Sequence, residues 1–274
     1  DCGLAEQNMI SMAAGLAASG KTVFASSFAV FASSRCYDQL RICLSQTRLD
    51  VKVVASHAGI TVGEDGASHQ AVEDLALYCA LPGFTVVVPS DAIETAGAVK
   101  IAAATYGPFY VRLSRPATPL VHDEGYRFEL GSAEVMRPGD DVTIIATGIM
   151  VAKALDAASA LGRDGVESRV LNMATLKPLD EEAIVRAAAE TGAVVVAEEH
   201  LAHGGLGGRV AEVTARRRPV PVSFVNLGDV YALSGKPDEL LKQYRLTEDD
   251  IYGAAHEVVQ RKRALSESMP SQRS

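Results

Sequence analysis

The chain has 274 residues, 48% hydrophobic and 22% charged, with a formal net charge of −8. That length suits one large or two medium domains, and the composition is that of an ordinary globular protein. The acidic balance gives no reason to expect nucleic acid or an anionic membrane surface as a partner, and no apolar run reaches the roughly 18 residues that span a bilayer.

Along the first half, short apolar runs alternate with longer helical patterns. Residues 6–19 read as a helix, "KTVFA" (21–25) as a strand, 29–49 as a helix and "VKVVAS" (51–56) as a strand. A helix over 69–80, the strand "FTVVVP" (84–89), a helix over 91–105 and the strand "FYVRLS" (109–114) follow. Asp91 stands where a helix N-cap belongs. Continuous β-branched runs suit strands buried on both faces, hence a parallel sheet. "RPATPLVHDEGY" (115–126), with its prolines, acids and glycine, reads as a linker. A second series carries strands at "DVTIIATG" (141–148), "VESRVLN" (166–172), "GAVVVAEE" (192–199) and "PVSFVNLG" (221–228), with helices near 149–162, 180–190 and 206–217. The expectation is an α/β fold of two three-layer domains with mostly parallel sheets, 1–122 and 123–265. "SESMPSQRS" (266–274) is expected to be a disordered tail. Cys2, Cys36, Cys43 and Cys79 form neither a CxxC nor a metal spacing. With no signal-peptide pattern at "DCGLAEQ", free thiols in a reducing cytoplasm are the expectation.

The stretch richest in chemistry is "SHAGITVGEDGASHQ" (56–70). His57 directly follows a strand, and open parallel sheets bind ligands beyond the carboxyl ends of their strands. The glycines at 59, 63 and 66 let the backbone fold back, bringing His57, Asp65 and His69 together, with His69 opening the next helix near its positive end. Histidine and aspartate suit zinc, but the spacing matches no zinc pattern, and Glu64 and Asp65 could merely solvate a loop. A pocket for a hydroxylated, anionic small molecule accounts for more. Its histidines donate to phosphate or carbonyl oxygen, and a carboxylate accepts from a hydroxyl. Phe24, Phe28 and Phe31 form a stripe of the kind that usually packs in a core. "EEHLAHGGLGG" (198–208) offers His200 and His203 to a metal, or its glycines to an anion. A tight strand-to-helix turn without a catalytic role is the better reading.

"GLAEQNMISMAAGLAASGKTVFASSFAVF" followed by "SHAGITVGEDGASHQ", with "LSRP" after the fourth strand, resembles the pyrimidine-binding domain of transketolase. "TLKPLD", "VVVAEEH" and "GGLGG" resemble the C-terminal domain of that family. The resemblance runs from residue 1 to about 260 and fits the separate C-terminal chain of split transketolases. It implies that a strand and helix precede "DCGLAEQ" in relatives, so the domain is expected to be incomplete at its start. It also implies thiamine diphosphate as cofactor, whose chemistry is its own while the protein sets its electronics.

By this resemblance Glu6 is the catalytic acid that hydrogen-bonds the aminopyrimidine. If the site is dry, burial beside an apolar ring is expected to raise its pKa against the helix dipole. Without the family match Glu6 would be read as a helix glutamate that only complements the dipole. Phe31 stacks on the aminopyrimidine, Phe28 lines its pocket and Phe24 lies in the core, while Ser34 replaces an aromatic of relatives. His57 and Arg115 bind the sugar phosphate, Asp65 accepts from a substrate hydroxyl, and His69 hydrogen-bonds the reacting oxygens. Relatives bind the diphosphate through Mg2+ or Ca2+ with a "GDG" motif and a later asparagine. "PGDDVTIIATG" (138–148), with Asn172, is a poor substitute because Asp141 stands where glycine is needed, so it reads as a turn entering a strand. The cofactor's diphosphate and metal are therefore expected on an N-terminal, diphosphate-binding partner subunit, two copies of each chain forming a heterotetramer. The rival readings are the beta subunit of a 2-oxoacid dehydrogenase, a deoxyxylulose-phosphate synthase fragment, and a non-catalytic assembly subunit.

Overall fold

A computed structural model of the chain describes residues 1–268. Helix α1 (Glu6–Ala18) leads to strand β1 (Val23–Ala25), a short α turn α2 (Tyr37–Gln39) flanked by π-helical segments, and β2 (Val51–Ala55). Then come α3 (Asp74–Ala80), β3 (Thr85–Val87), α4 (Ala92–Ala104) and β4 (Phe109–Arg112). The second half runs β5 (Glu134–Arg137), β6 (Val142–Ala146), α5 (Met150–Arg163), β7 (Ser168–Asn172), β8 (Thr175–Lys177) and α6 (Glu181–Thr191). It ends with β9 (Val194–Ala197), α7 (Leu206–Arg217), β10 (Val222–Val225), α8 (Pro237–Gln243) and α9 (Glu248–Ser268).

Two five-stranded sheets result, in the orders β1-β2-β4-β3-β8 and β10-β9-β6-β7-β5. Every pairing is parallel except β3–β8 and β5–β7, which are antiparallel. All five residues of β6 and all four of β9 are buried, as expected for strands covered by helices on both faces. Asp91 caps α4 by accepting from the Glu94 amide at 2.8 Å. Asp180 does the same for α6, which closes on Gly192 at φ +65°, the left-handed conformation that favours glycine.

The sequence expectations and the structure part company at several points. β8 comes from the second half yet pairs with β3 of the first, Val86 opposite Lys177. The single helix expected over 29–49 is broken by π turns. The hydroxyls of Ser33 and Ser34 donate to the carbonyls of Ala29 and Val30, and Tyr78 donates to that of Ala32. Such back-bonding competes with the i→i−4 ladder. The next helix begins at Asp74, not His69. Phe24 lies on an edge strand and is 46% exposed rather than in the core. The expected tail is helical through Ser268, and residues 269–274 lie outside the described residues. No helix among the described residues is long and apolar enough to cross a membrane.

Candidate functional site

The loop after β2 begins with a strained residue. His57 has φ +63°, a conformation that costs a non-glycine residue about 1–3 kcal/mol and persists only where its surroundings impose it. Here the Ala58 amide donates to the Leu113 carbonyl at 3.1 Å and the Gly59 amide to the Ala71 carbonyl at 2.8 Å. The imidazole is thereby laid on Phe28, ring centroids 3.8 Å apart and planes within 9°.

From that stack the site extends in both directions. Phe28 and Phe31 are parallel, with centroids 6.1 Å apart. His69 meets Phe31 edge-on at 5.2 Å and Phe28 at 6.4 Å. The Arg35 guanidinium lies 4.1 Å over the Phe31 ring, a cation–π contact, and its Nη1 donates to Glu6 Oε2 at 3.0 Å. Ser27 Oγ donates to Glu6 Oε1 at 3.2 Å. Within electrostatic reach of His57, Arg115 Nη1 donates to the Val62 carbonyl, lies 3.4 Å from Asp65 Oδ2 and reaches Glu64 at 3.9 Å. The structure thus gathers Glu6, Phe28, Phe31, His57 and His69 in one contiguous cluster, with Asp65 and Arg115 close enough to bear on the His57 charge. Among the described residues no group of three or more His, Cys, Asp or Glu side chains is placed to hold a metal.

Electrostatics correct one expectation. Glu6 is 4% exposed, and burial is the largest influence on its carboxyl, favouring the neutral form. Its own backbone amide, Arg35 and Ser27 together outweigh burial and hold the pKa below the usual value. The expected upward shift takes no account of Arg35, which pairs with the carboxylate. That residue was findable, since it stands four positions after Phe31, on the same helical face. For His57, burial and then the Arg115 charge lower the pKa, with Asp65 opposing them. A second missed signal is the repeated Ser-His pair. Ser56 Oγ lies 2.8 Å from His57 Nδ1, and Ser68 Oγ 2.9 Å from His69 Nδ1. Among the described residues each Nε2 is left without a partner, available to a ligand.

The two motifs set aside in the second half are accounted for by packing. The glycines of "GGLGG" do cradle an anion, but it is the chain's own. Glu198 accepts from the amides of Leu206 at 2.6 Å and Gly207 at 2.7 Å, at the start of α7. A Cβ on Gly205 would overlap that carboxylate. His200 is fully buried, with Nδ1 2.8 Å from the Leu201 carbonyl and Nε2 accepting from the Ala76 amide. In "PGDD", Asp140 lies near Arg169 and the Asp141 amide donates to the Glu167 carbonyl. Asn172 instead donates to Glu94, so these residues form a turn into β6 and no diphosphate site.

Comparison with known proteins agrees with this layout. Residues 1–121 match the model of the transketolase pyrimidine binding domain, and 131–251 that of the transketolase C-terminal domain. A 6-deoxy-6-sulfo-D-fructose transketolase subunit of Clostridium sp. is 45% identical over 262 residues, covering 96% of this chain and 81% of that one. An apulose-4-phosphate transketolase subunit of Phocaeicola vulgatus is 38% identical over 262 residues, covering 95% and 84%. A solved split-gene transketolase, described as an inactive β4 tetramer, superposes with a TM-score of 0.89 at 47% identity, covering 94% of this chain and 82% of its own. With both halves matched in order and relatives this similar along nearly its whole length, the chain belongs to the transketolase family.

Proposed function

We propose that this chain is the subunit of a split transketolase that carries the pyrimidine pocket and the sugar-reading loop. It transfers a two-carbon ketol unit from a phosphorylated ketose to an aldose, together with a separate diphosphate-binding chain. The observation that carries the reading is the unbroken path from the buried Glu6 carboxylate through Arg35, Phe31, His69 and Phe28 to His57, with Arg115 and Asp65 beside it.

The residues fit the pyrimidine half of thiamine diphosphate: a buried carboxylate beside two aromatic rings, one of its partners being a half-exposed arginine that a ring nitrogen can displace. Bound thiamine diphosphate supplies the nucleophilic carbon. Glu6 would hydrogen-bond the aminopyrimidine and hold a proton at its carboxylate. Displacing Arg35 would remove one of the groups that hold the carboxyl low and leave burial less opposed. Phe31 and Phe28 wall the ring and exclude water. With Ser56 and Ser68 donating to Nδ1, the Nε2 protons of His57 and His69 face the substrate. His57 and Arg115 bind its terminal anion, Arg115 as a fork suited to phosphate. Asp65 accepts from a hydroxyl, and His69 donates to the reacting oxygens. Two relatives are named for ketoses with an anionic group, a sulfo group and a phosphate, which supports this substrate class.

The diphosphate and its Mg2+ or Ca2+ are assigned to the partner chain, with two copies of each subunit in the assembly. Relatives named as subunits and as a split-gene enzyme support a separate partner chain. So does the exposed apolar face of Met12, Leu16 and Phe24, which lines a groove of about 300 Å³ with Glu6, since such patches mark interaction sites. Four free thiols favour the cytoplasm. Calorimetric titration with thiamine diphosphate and magnesium tests the reading, together with an assay of xylulose 5-phosphate plus ribose 5-phosphate against pyruvate. The expected result is ketol transfer with the partner chain present and neither tight stoichiometric binding nor turnover without it. Turnover by this chain alone, or use of pyruvate in preference to the sugars, overturns the proposal.

A further inference from the structure

The "EEH" motif at 198–200 takes no part in the chemistry proposed above, yet its second acid reaches into the other half of the chain. Glu199 follows β9 and is 3% exposed. Its Oε1 accepts from the Thr61 amide at 2.7 Å, in the middle of the loop between His57 and Asp65. Its backbone carbonyl accepts from Arg112 Nη2 at 3.0 Å. Arg112 also donates to Asp74 Oδ2 at 2.8 Å and to the Ala71 carbonyl at 3.0 Å, so the end of β9 is fastened to the first sheet.

The loop is shaped around this carboxylate. A Cβ on Gly59 would overlap it, and Gly59 has φ +78°. Ile60 is fully buried in the hydrophobic core of the second half, and the first turn after it packs on α8. Farther along, Gln70 Nε2 donates to the Leu233 carbonyl at 3.1 Å, and the Leu201 amide to the Val72 carbonyl at 2.9 Å. The segment carrying His57, Asp65 and His69 is therefore held along its length by the second half.

We infer that Glu199 is a positioning residue for ketol transfer: its carboxylate grips the Thr61 amide and so sets where His57 and Asp65 meet the sugar. The inference rests on the loop being the substrate reader proposed above. Burial pushes the Glu199 carboxyl up, opposed by the Arg112 charge and the amides of Thr61 and Ile60. Glu199→Gln keeps the shape and one oxygen that can accept from the Thr61 amide, but loses the charge and turns the second acceptor into an NH2 group. Glu199→Asp keeps the charge but loses the reach.

Amide hydrogen exchange on this chain gives a readout that does not depend on activity. In the unmodified chain the Thr61 amide is expected to exchange at least about tenfold more slowly than that of exposed Glu64, the effect of one hydrogen bond to a charged acceptor. Glu199→Asp should remove most of that protection, and Glu199→Gln, which keeps one accepting oxygen, only part of it. In the assembled enzyme the Asp variant should raise KM for a ketose phosphate about tenfold and lower kcat less than about threefold. Equal exchange of Thr61 and Glu64 in the unmodified chain overturns the inference whatever the reaction proves to be. So does an Asp variant that behaves as the unmodified chain, or faster exchange with unchanged KM. Lost protection in the variants, with no ketol transfer by the unmodified assembly, supports the grip on the loop and sinks the transketolase reading separately.

Discussion

Removing Arg115 tests the phosphate site most directly. Its Nη1 is committed to the Val62 carbonyl and to Asp65, while Nε and Nη2 have no partner among the described residues and are free to form a fork on an anion. A hydrogen bond to a charged group contributes about 1.5–3 kcal/mol, and a good fork makes two. The side chain is 41% exposed, so solvent screening reduces the total, and one full bond is the better measure. Arg115→Ala should therefore raise KM for a ketose phosphate about 10–150-fold. The Val62 carbonyl also loses its donor, a disturbance that touches every substrate. The decisive quantity is thus the ratio of kcat/KM for a phosphorylated ketose to that for its unphosphorylated analogue, measured in the assembled enzyme. Arg115→Lys should fall between, keeping the charge but losing the fork. NMR titration supplies a second reading. Burial and Arg115 both lower the His57 pKa, so its midpoint should rise in the Ala variant. An unchanged ratio between the two substrates, or a His57 midpoint that stays in place, refutes the reasoning.

Glu6→Gln should cut turnover at least about 100-fold at saturating cofactor, the usual scale for a lost acid–base group; near-normal steady-state rates would remove Glu6 from the mechanism. Arg35→Met should move the Glu6 carboxyl upward, because it deletes one of the groups that hold it low. A carboxyl held low contributes stability that is complete above its usual 4.5 and lost as pH falls through the folded value. Acid denaturation followed by carboxyl NMR should accordingly show a smaller loss on the acid side in this variant. Asp74→Asn should destabilise the chain by about 3–5 kcal/mol, because it strands the buried Arg112 that Asp74 now pairs. That is a drop in Tm of about 6–20 °C by calorimetry, and a shift below about 1 °C would show that the pair contributes nothing.

The central strands were legible because burial on both faces leaves a distinctive run: "VTIIA" and "VVVA" admit little else. β5 and β8 were not, because "EVMR" and "TLK" are no continuous apolar runs and neither follows a helix. The helices α8 and α9 went unread at the end of the second series. The site divides in the same way. His57, Asp65 and His69 stood out from the composition of their own loop, Glu6 and Arg115 through motif resemblance, and the fold places them together. Arg35 and Glu199 escaped notice for different reasons. Arg35 shares a helical face with Phe31, a spacing visible in the sequence. Glu199 lies 138 positions from its loop partner Thr61, and no local pattern encodes so distant a contact. Phe24 misled because an exposed aromatic on an edge strand looks, in sequence, like a core one.

The edge strand that β8 lends to the first sheet sets a timetable for synthesis. When β3 leaves the ribosome, one side of it has no neighbour, and the residues that will occupy that side lie about 90 positions downstream. At about 5–20 residues per second, translation leaves that edge open for roughly 5–18 s. A β-branched edge left open so long is a template for pairing with another nascent chain. Fragments cut within residues 115–126 would keep the liability permanently. Expressed alone, the first half should collect in inclusion bodies, and adding the second half in trans during refolding should rescue it.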